Sequence, residues 1–170
     1  MIEYSWVPAT GPDIEKLTEL SVKNCMTDVE TIYDVKPIIF TRNLTLAVVN
    51  QHFTPNEELL SVAKDSNGTI LAYTWASCSQ YALWSNEKML IVNMADIELT
   101  LPIKLRIKLV KDMMYLWEEF CKLSQIPIIC STTLRVNQSA FLKLHEREGY
   151  QIRGSAAYKR LSTTQATPAN

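Results

Sequence analysis

Apolar and polar positions recur along this chain with two periods, and each change of period marks an element. The order is clearest from Met89 to Tyr150. MLIVNMADI reads as a strand, and Pro102 then suits a first helical position with Thr100 placed to cap free N–H groups. Ile103, Ile107, Val110, Met114, Trp117 and Cys121 follow at steps of four and three, which predicts an inward stripe. Lys104, Lys108, Lys111, Glu118 and Lys122 make the opposite, wet face. IPIICST is apolar, β-branched and too short for a helix, so it predicts a buried strand. Asn137 to Glu148 predicts a second helix with Ala140, Phe141 and Leu144 on one face, closed by Gly149, and YQIRGSAAYKRL predicts a final strand.

The earlier part of the chain gives the remaining elements. Ile2, Tyr4 and Trp6 alternate with polar or small residues and predict a strand ended by Pro8 and Gly11. Pro12 and Asp13 open a helix with Ile14, Leu17 and Leu20 inward, and Asn24 to Asp34 reads as irregular. Pro37 starts a helix in which Ile39, Leu46, Val49 and Phe53 share a face, stopped by Thr54-Pro55-Asn56. Glu58 to Lys64 and Thr69 to Ser77 flank Asp65-Ser66-Asn67-Gly68, a hairpin turn between two strands. The expected order is β-α-α-β-β-β-α-β-α-β, an α/β fold with a mixed central sheet. Residues 1–161 are expected to form one domain, and 162–170 a polar tail too poor in apolar side chains to hold itself in place.

Composition narrows the function. With 170 residues and 47% hydrophobic side chains the chain can build one full core. The 17 basic and 18 acidic residues leave a net charge of -1, so nucleic acid is not indicated as a partner. Cys25, Cys78, Cys121 and Cys130 are far apart in apolar surroundings, which predicts free buried thiols in a reducing compartment and no metal site. MIEYSWVPATG has neither a basic nor an apolar signal region, and no apolar run approaches a membrane span. A cytoplasmic location without signal-peptide secretion is expected.

The strand-helix-strand-helix order, together with NQSAFLKLHEREGYQIRG, resembles the closing half of the GNAT acyltransferases, which move an acyl group from coenzyme A to an amine. With the N-terminal part the resemblance covers roughly residues 1–161. It implies that the two helices after the first strand border an acceptor site. It also implies that a glycine-rich turn, Q/R-x-x-G-x-G/A, precedes the long helix and brings backbone N–H groups onto the cofactor pyrophosphate. Here that stretch is LPIKLRIKLVKDMM, and the four glycines of the chain, Gly11, Gly68, Gly149 and Gly154, all lie elsewhere. Leu and Ile there add bulk and remove easy access to positive φ.

The resemblance places the cofactor-binding candidates at Leu101, Lys104, Arg106, Ile107, Lys108 and Asn137. It places a general base at Asp96 or Glu98, two apart on a strand, and a general acid at His145, five residues before Tyr150. Two functions follow as expectations. The first is a GNAT-fold protein that has lost acetyl-CoA-dependent catalysis, binds no cofactor and serves as a structural or interaction subunit with protein partners. A narrower resemblance, to GNAT-like internal virion proteins of T7-like bacteriophages, offers a virion component as one version. The second is an active N-acyltransferase that uses acetyl-CoA through a pyrophosphate site lined by Lys104, Arg106 and Lys108. For the first, the polar tail and the loop Ser79 to Asn86, with Tyr81, Leu83 and Trp84, are the expected association surfaces.

Overall fold

The computed structural model describes residues 2–135, 138–154 and 157–158. The chain divides into two compact units, one of Met1–Asn24 with Lys36–Thr132, the other of Cys25–Val35 with Thr133–Asn170.

The first unit is built on strands β1 (Tyr4–Pro8), β2 (Glu58–Asp65), β3 (Ile70–Tyr81), β4 (Lys88–Ile97) and β5 (Ile128–Ser131), which lie side by side in chain order. The first four pair antiparallel, β2–β3 and β3–β4 through short turns and β1–β2 across a connection that holds two helices. β4 and β5 pair parallel, and helix α3 (Ile103–Ser124) supplies the crossover that a parallel pair needs. The β2–β3 turn forms as its residues dictate: Asp65 accepts the amides of Asn67 and Thr69 on its carboxylate and that of Gly68 on its carbonyl, and Gly68 takes φ +78°.

Helix α1 (Ile14–Val29) follows a single 3-10 turn, and α2 (Pro37–Phe53) follows α1. Leu17 and Leu20 of α1, Leu44 and Ala47 of α2, and Leu60, Val62 and Tyr73 of the sheet close into one core. Helix α4 (Ser139–Arg147) belongs to the second unit, as do the last residues of α1. The mixed α/β class and the element order agree with the sequence as far as α4.

Several details differ, each for a physical reason. Asn24 to Val29 is helical rather than irregular, because Asn24 turns inward as a buried polar residue and the helix continues past it. Pro102 is the N-cap of α3 and not its first residue, with ψ 141°, and Thr100 makes no side-chain cap. The buried face of α3 is Leu109, Met113, Met114, Trp117 and Cys121, whereas Ile103 and Ile107 in the first two turns are exposed. The apolar stripe of α2 read from sequence, Ile39, Leu46, Val49 and Phe53, is the solvent side, because α2 is apolar on two faces and packs on β2 through Leu44 and Ala47. Of the four thiols, Cys78 and Cys121 are buried but Cys25 and Cys130 only half so. The described residues of the expected last strand, 150–154 and 157–158, carry no strand, and its other positions lie outside the described residues. No described helix is long and apolar enough to cross a membrane, and no group of three metal-binding side chains occurs among the described residues.

Candidate functional site

Strand β4 (Lys88–Ile97) holds one candidate carboxylate, Asp96, and leads into the other, Glu98. Trp75 of β3 faces Met94 but Ala76 faces Val92, so Asn93 has no counterpart and forms a bulge. β5 pairs with Met89 to Val92 only, so the strand runs on past the bulge without β5 beside it. The carboxylates Asp96 and Glu98 stand at the far end of this stretch.

Asp96 is fully buried. Its Oδ2 accepts the Ser21 hydroxyl at 2.8 Å and its Oδ1 the Asn24 side-chain amide at 3.2 Å. Ser21 has one proton and gives it to Asp96, so the Tyr73 hydroxyl must be the donor in the hydrogen bond between Tyr73 and Ser21. Asn24 also donates to the Ile97 carbonyl at 2.7 Å. Asp96 is thus the acceptor at the end of a chain of donors from α1 and β3, which offsets the cost of burying its charge.

Glu98 sits just past the end of β4 and also turns towards α1. Both of its oxygens accept the Lys23 ammonium at 2.9 Å, and that hydrogen bond, with a second from the Thr100 amide, holds its carboxyl below the ordinary carboxylate range. A general base near neutrality needs the opposite displacement.

The turn into α3 closes on Glu98 as well. The Thr100 amide donates to Glu98 Oε1 at 3.0 Å and the Leu101 amide to the Glu98 carbonyl at 3.2 Å. Pro102 has no N–H. Three successive positions ahead of the helix therefore have no amide to offer an external anion, and a carboxylate already lies against the first of them. Lys104 and Ile107 are exposed. Lys108 places its Nζ 4.5 Å from the Tyr4 ring centroid, and Tyr4 donates to Asp112 Oδ2 at 2.6 Å, so this cation is engaged with β1. Arg106 has its Nε buried without a hydrogen-bond partner. Asn137 lies outside the described residues.

His145 is in the second unit and is buried at 2% exposure, between Phe141 and Tyr150 at ring-centroid distances of 4.0 and 4.9 Å. Its Nδ1 lies 2.9 Å from the Phe141 carbonyl, and burial pulls the imidazole pKa below its ordinary 6.5. The structure thus brings Asp96 and Glu98 to one side of β4, beside α1, and keeps His145 in a different unit.

Sequence reasoning missed Ser21, Asn24 and Tyr73. The signal was present in α1, where Ser21 and Asn24 sit three apart beside the inward residues Leu17 and Leu20. Two polar residues beside an apolar stripe imply a buried polar partner.

The fold is shared with solved acetyltransferases. An aminoglycoside N-acetyltransferase in complex with CoA superposes with a TM-score of 0.71 at 8% identity, covering 96% of this chain and 97% of that one. A putative acetyl transferase from Pyrococcus furiosus gives 0.67 at 16%, covering 94% and 100%. Glucosamine-6-phosphate N-acetyltransferase from Arabidopsis thaliana gives 0.64 at 15%, covering 94% and 99%. No protein-family model and no curated protein sequence matches the chain. The chain has a GNAT-type fold. At these identities the likeness establishes the fold alone.

Proposed function

We propose that this protein is a GNAT-fold structural or interaction subunit that does not carry out acetyl-CoA-dependent transfer. The observation that carries this reading is the turn into α3, where Glu98 takes the Thr100 and Leu101 amides and Pro102 has none. A coenzyme pyrophosphate draws its binding energy at a helix N-terminus from such amides. Losing two bonds to a charged phosphate, at roughly 1.5–3 kcal/mol each, weakens binding several hundredfold or more. The Glu98 carboxylate adds repulsion. The residues ahead of α3 do not supply the amides that a glycine-rich turn would, and no catalytic step is assigned through the cofactor.

The carboxylates support the same reading. Asp96 is enclosed by Ser21 and Asn24 with no exposed surface, and Glu98 is held by Lys23 with a lowered pKa. A bacteriophage virion is one setting for such a subunit, supported by the resemblance of the N-x-S helix and the glycine-free cofactor loop to those of GNAT-like internal virion proteins.

Titration calorimetry with acetyl-CoA tests the proposal. The expected dissociation constant is weaker than about 1 mM, or no heat is seen. Micromolar binding with acyl transfer to any amine would sink it.

One observation favours the alternative of an active N-acyltransferase: β4 continues past β5 beyond the Asn93 bulge, and bulges are over-represented beside active sites. In that case Lys104, Arg106 and Lys108 replace the missing amides. Changing all three to Gln then abolishes coenzyme binding, whereas unchanged binding removes this version.

A further inference from the structure

Helix α2 presents a second apolar face that is exposed among the described residues. Ile38 is 71% exposed, Ile39 42%, Leu46 52%, Val49 44% and Phe53 76%. At 3.6 residues per turn these five side chains fall on one stripe along the whole helix. Asn43 and Asn50 flank it on one side and Thr45 on the other, and Arg42 is the only charge within it. The opposite face is fixed to β2, because Leu44 and Ala47 are buried and Gln51 Oε1 accepts the Leu60 amide at 2.6 Å. The exposed stripe therefore belongs to a rigid helix and cannot turn inward.

We propose that this face is a homodimer interface in which α2 packs antiparallel on α2 of a second copy, with Leu46 on the twofold axis. The register follows from the sequence. About that axis Phe53 of one copy meets Ile39 of the other, with Ile38 beside it, so the largest apolar groups at the two helix ends cover each other. Arg42 then stands opposite Asn50. The Asn50 amide nitrogen is directed at Glu58 Oε2, at 3.5 Å, which leaves its oxygen to accept from the guanidinium. A parallel pairing would set Arg42 against Arg42.

The area agrees with a pair of copies. At roughly 200 Å² for a fully exposed large side chain, the five exposed fractions give on the order of 550 Å² per copy. That is near the upper end for an apolar patch on a monomer, about 300–600 Å². Arg42 within the stripe and Thr45 and Asn50 at its rim bring it towards the roughly 800 Å² per partner of an ordinary stable interface. The inference does not depend on whether the chain transfers acyl groups.

Sedimentation equilibrium on the full chain is the test. At tens of micromolar the protein is expected at twice its 19.4 kDa chain mass. Leu46→Glu and, independently, Phe53→Ser are expected to leave the circular dichroism spectrum and melting temperature intact and to shift the protein to monomer, weakening association at least tenfold. Leu46→Cys is expected to cross-link to itself under mild oxidation above the background of the natural cysteines, and Ile38→Cys to do so far less. A natural protein that stays monomeric at every concentration overturns the proposal, as does a dimer that survives both substitutions. Equal cross-linking through positions 38 and 46 overturns the antiparallel register.

Discussion

The Ser21 hydroxyl donates to Asp96 Oδ2 at 2.8 Å, and this bond ties the interior of α1 to the end of β4. Asn24 adds two more, to Asp96 Oδ1 and to the Ile97 carbonyl. Each oxygen of Asp96, the strand carboxylate expected as a candidate base, thus accepts from a buried side chain of α1.

If that is its role, Asp96 is needed for stability. Asp96→Ala leaves the Ser21 hydroxyl without its acceptor inside the core, and the expected loss is about 3 kcal/mol in urea unfolding. Ser21→Ala removes one donor from a buried carboxylate and should cost about 1–2 kcal/mol. The double variant should cost less than the two added, since the residues share one bond. An Asp96→Ala protein as stable as the natural chain would count against the network.

His145 makes the second unit sensitive to acid. Burial lowers its folded pKa below the ordinary 6.5, so the folded state binds the proton less readily than the unfolded one. The stability this contributes is complete above 6.5 and is lost as pH falls through the lowered folded value. Hydrogen exchange of α4 amides should therefore quicken relative to those of β3 as pH drops below 6.5, after correction for intrinsic exchange rates. His145→Gln should abolish this difference. Equal acid sensitivity in the variant would assign the effect to other groups.

Much of the fold was legible because periodicity reports burial wherever one face of an element is apolar. The β2–β3 hairpin, α3 and the short parallel β5 came from such patterns together with turn chemistry at Asp65-Ser66-Asn67-Gly68. Helix α2 misled because it is apolar on two faces, and period alone cannot say which one meets the sheet. On α3 the residues at the helix start follow the stripe in sequence yet remain exposed at Ile103 and Ile107. The absence of glycine from the turn before α3 was visible at once. That Glu98 would take that turn's amides was not, because a backbone–carboxylate contact leaves no periodic trace. The identities of Asp96 and Glu98 as neighbouring carboxylates were readable, whereas their different environments came from α1, some seventy residues earlier.

The β3–β4 hairpin gives a prediction about surface. β3 and β4 remain paired out to Tyr81 and Lys88, and the turn beyond is closed by the Ala82 amide on the Glu87 carbonyl at 2.8 Å and by the Ser85 hydroxyl on Glu87 Oε2 at 2.8 Å. On this ordered tip Leu83 is 86% and Trp84 93% exposed. Holding two large apolar side chains in water gains nothing for the isolated chain, and tryptophan is among the residues that dominate interface energies. Trp84→Ala should therefore leave the melting temperature unchanged and remove the most red-shifted, most readily quenched part of the tryptophan emission, since Trp117 is buried and hydrogen-bonded to Thr74 at 2.8 Å. In native mass spectrometry of any assembly the chain forms, the same variant should weaken association by about 2 kcal/mol or more if the tip is its contact. Deleting residues 162–170 tests the tail separately. Loss of the fold in the Trp84 variant would show that the indole packs against the protein, and unchanged association in both variants would take the tip and the tail out of the interface.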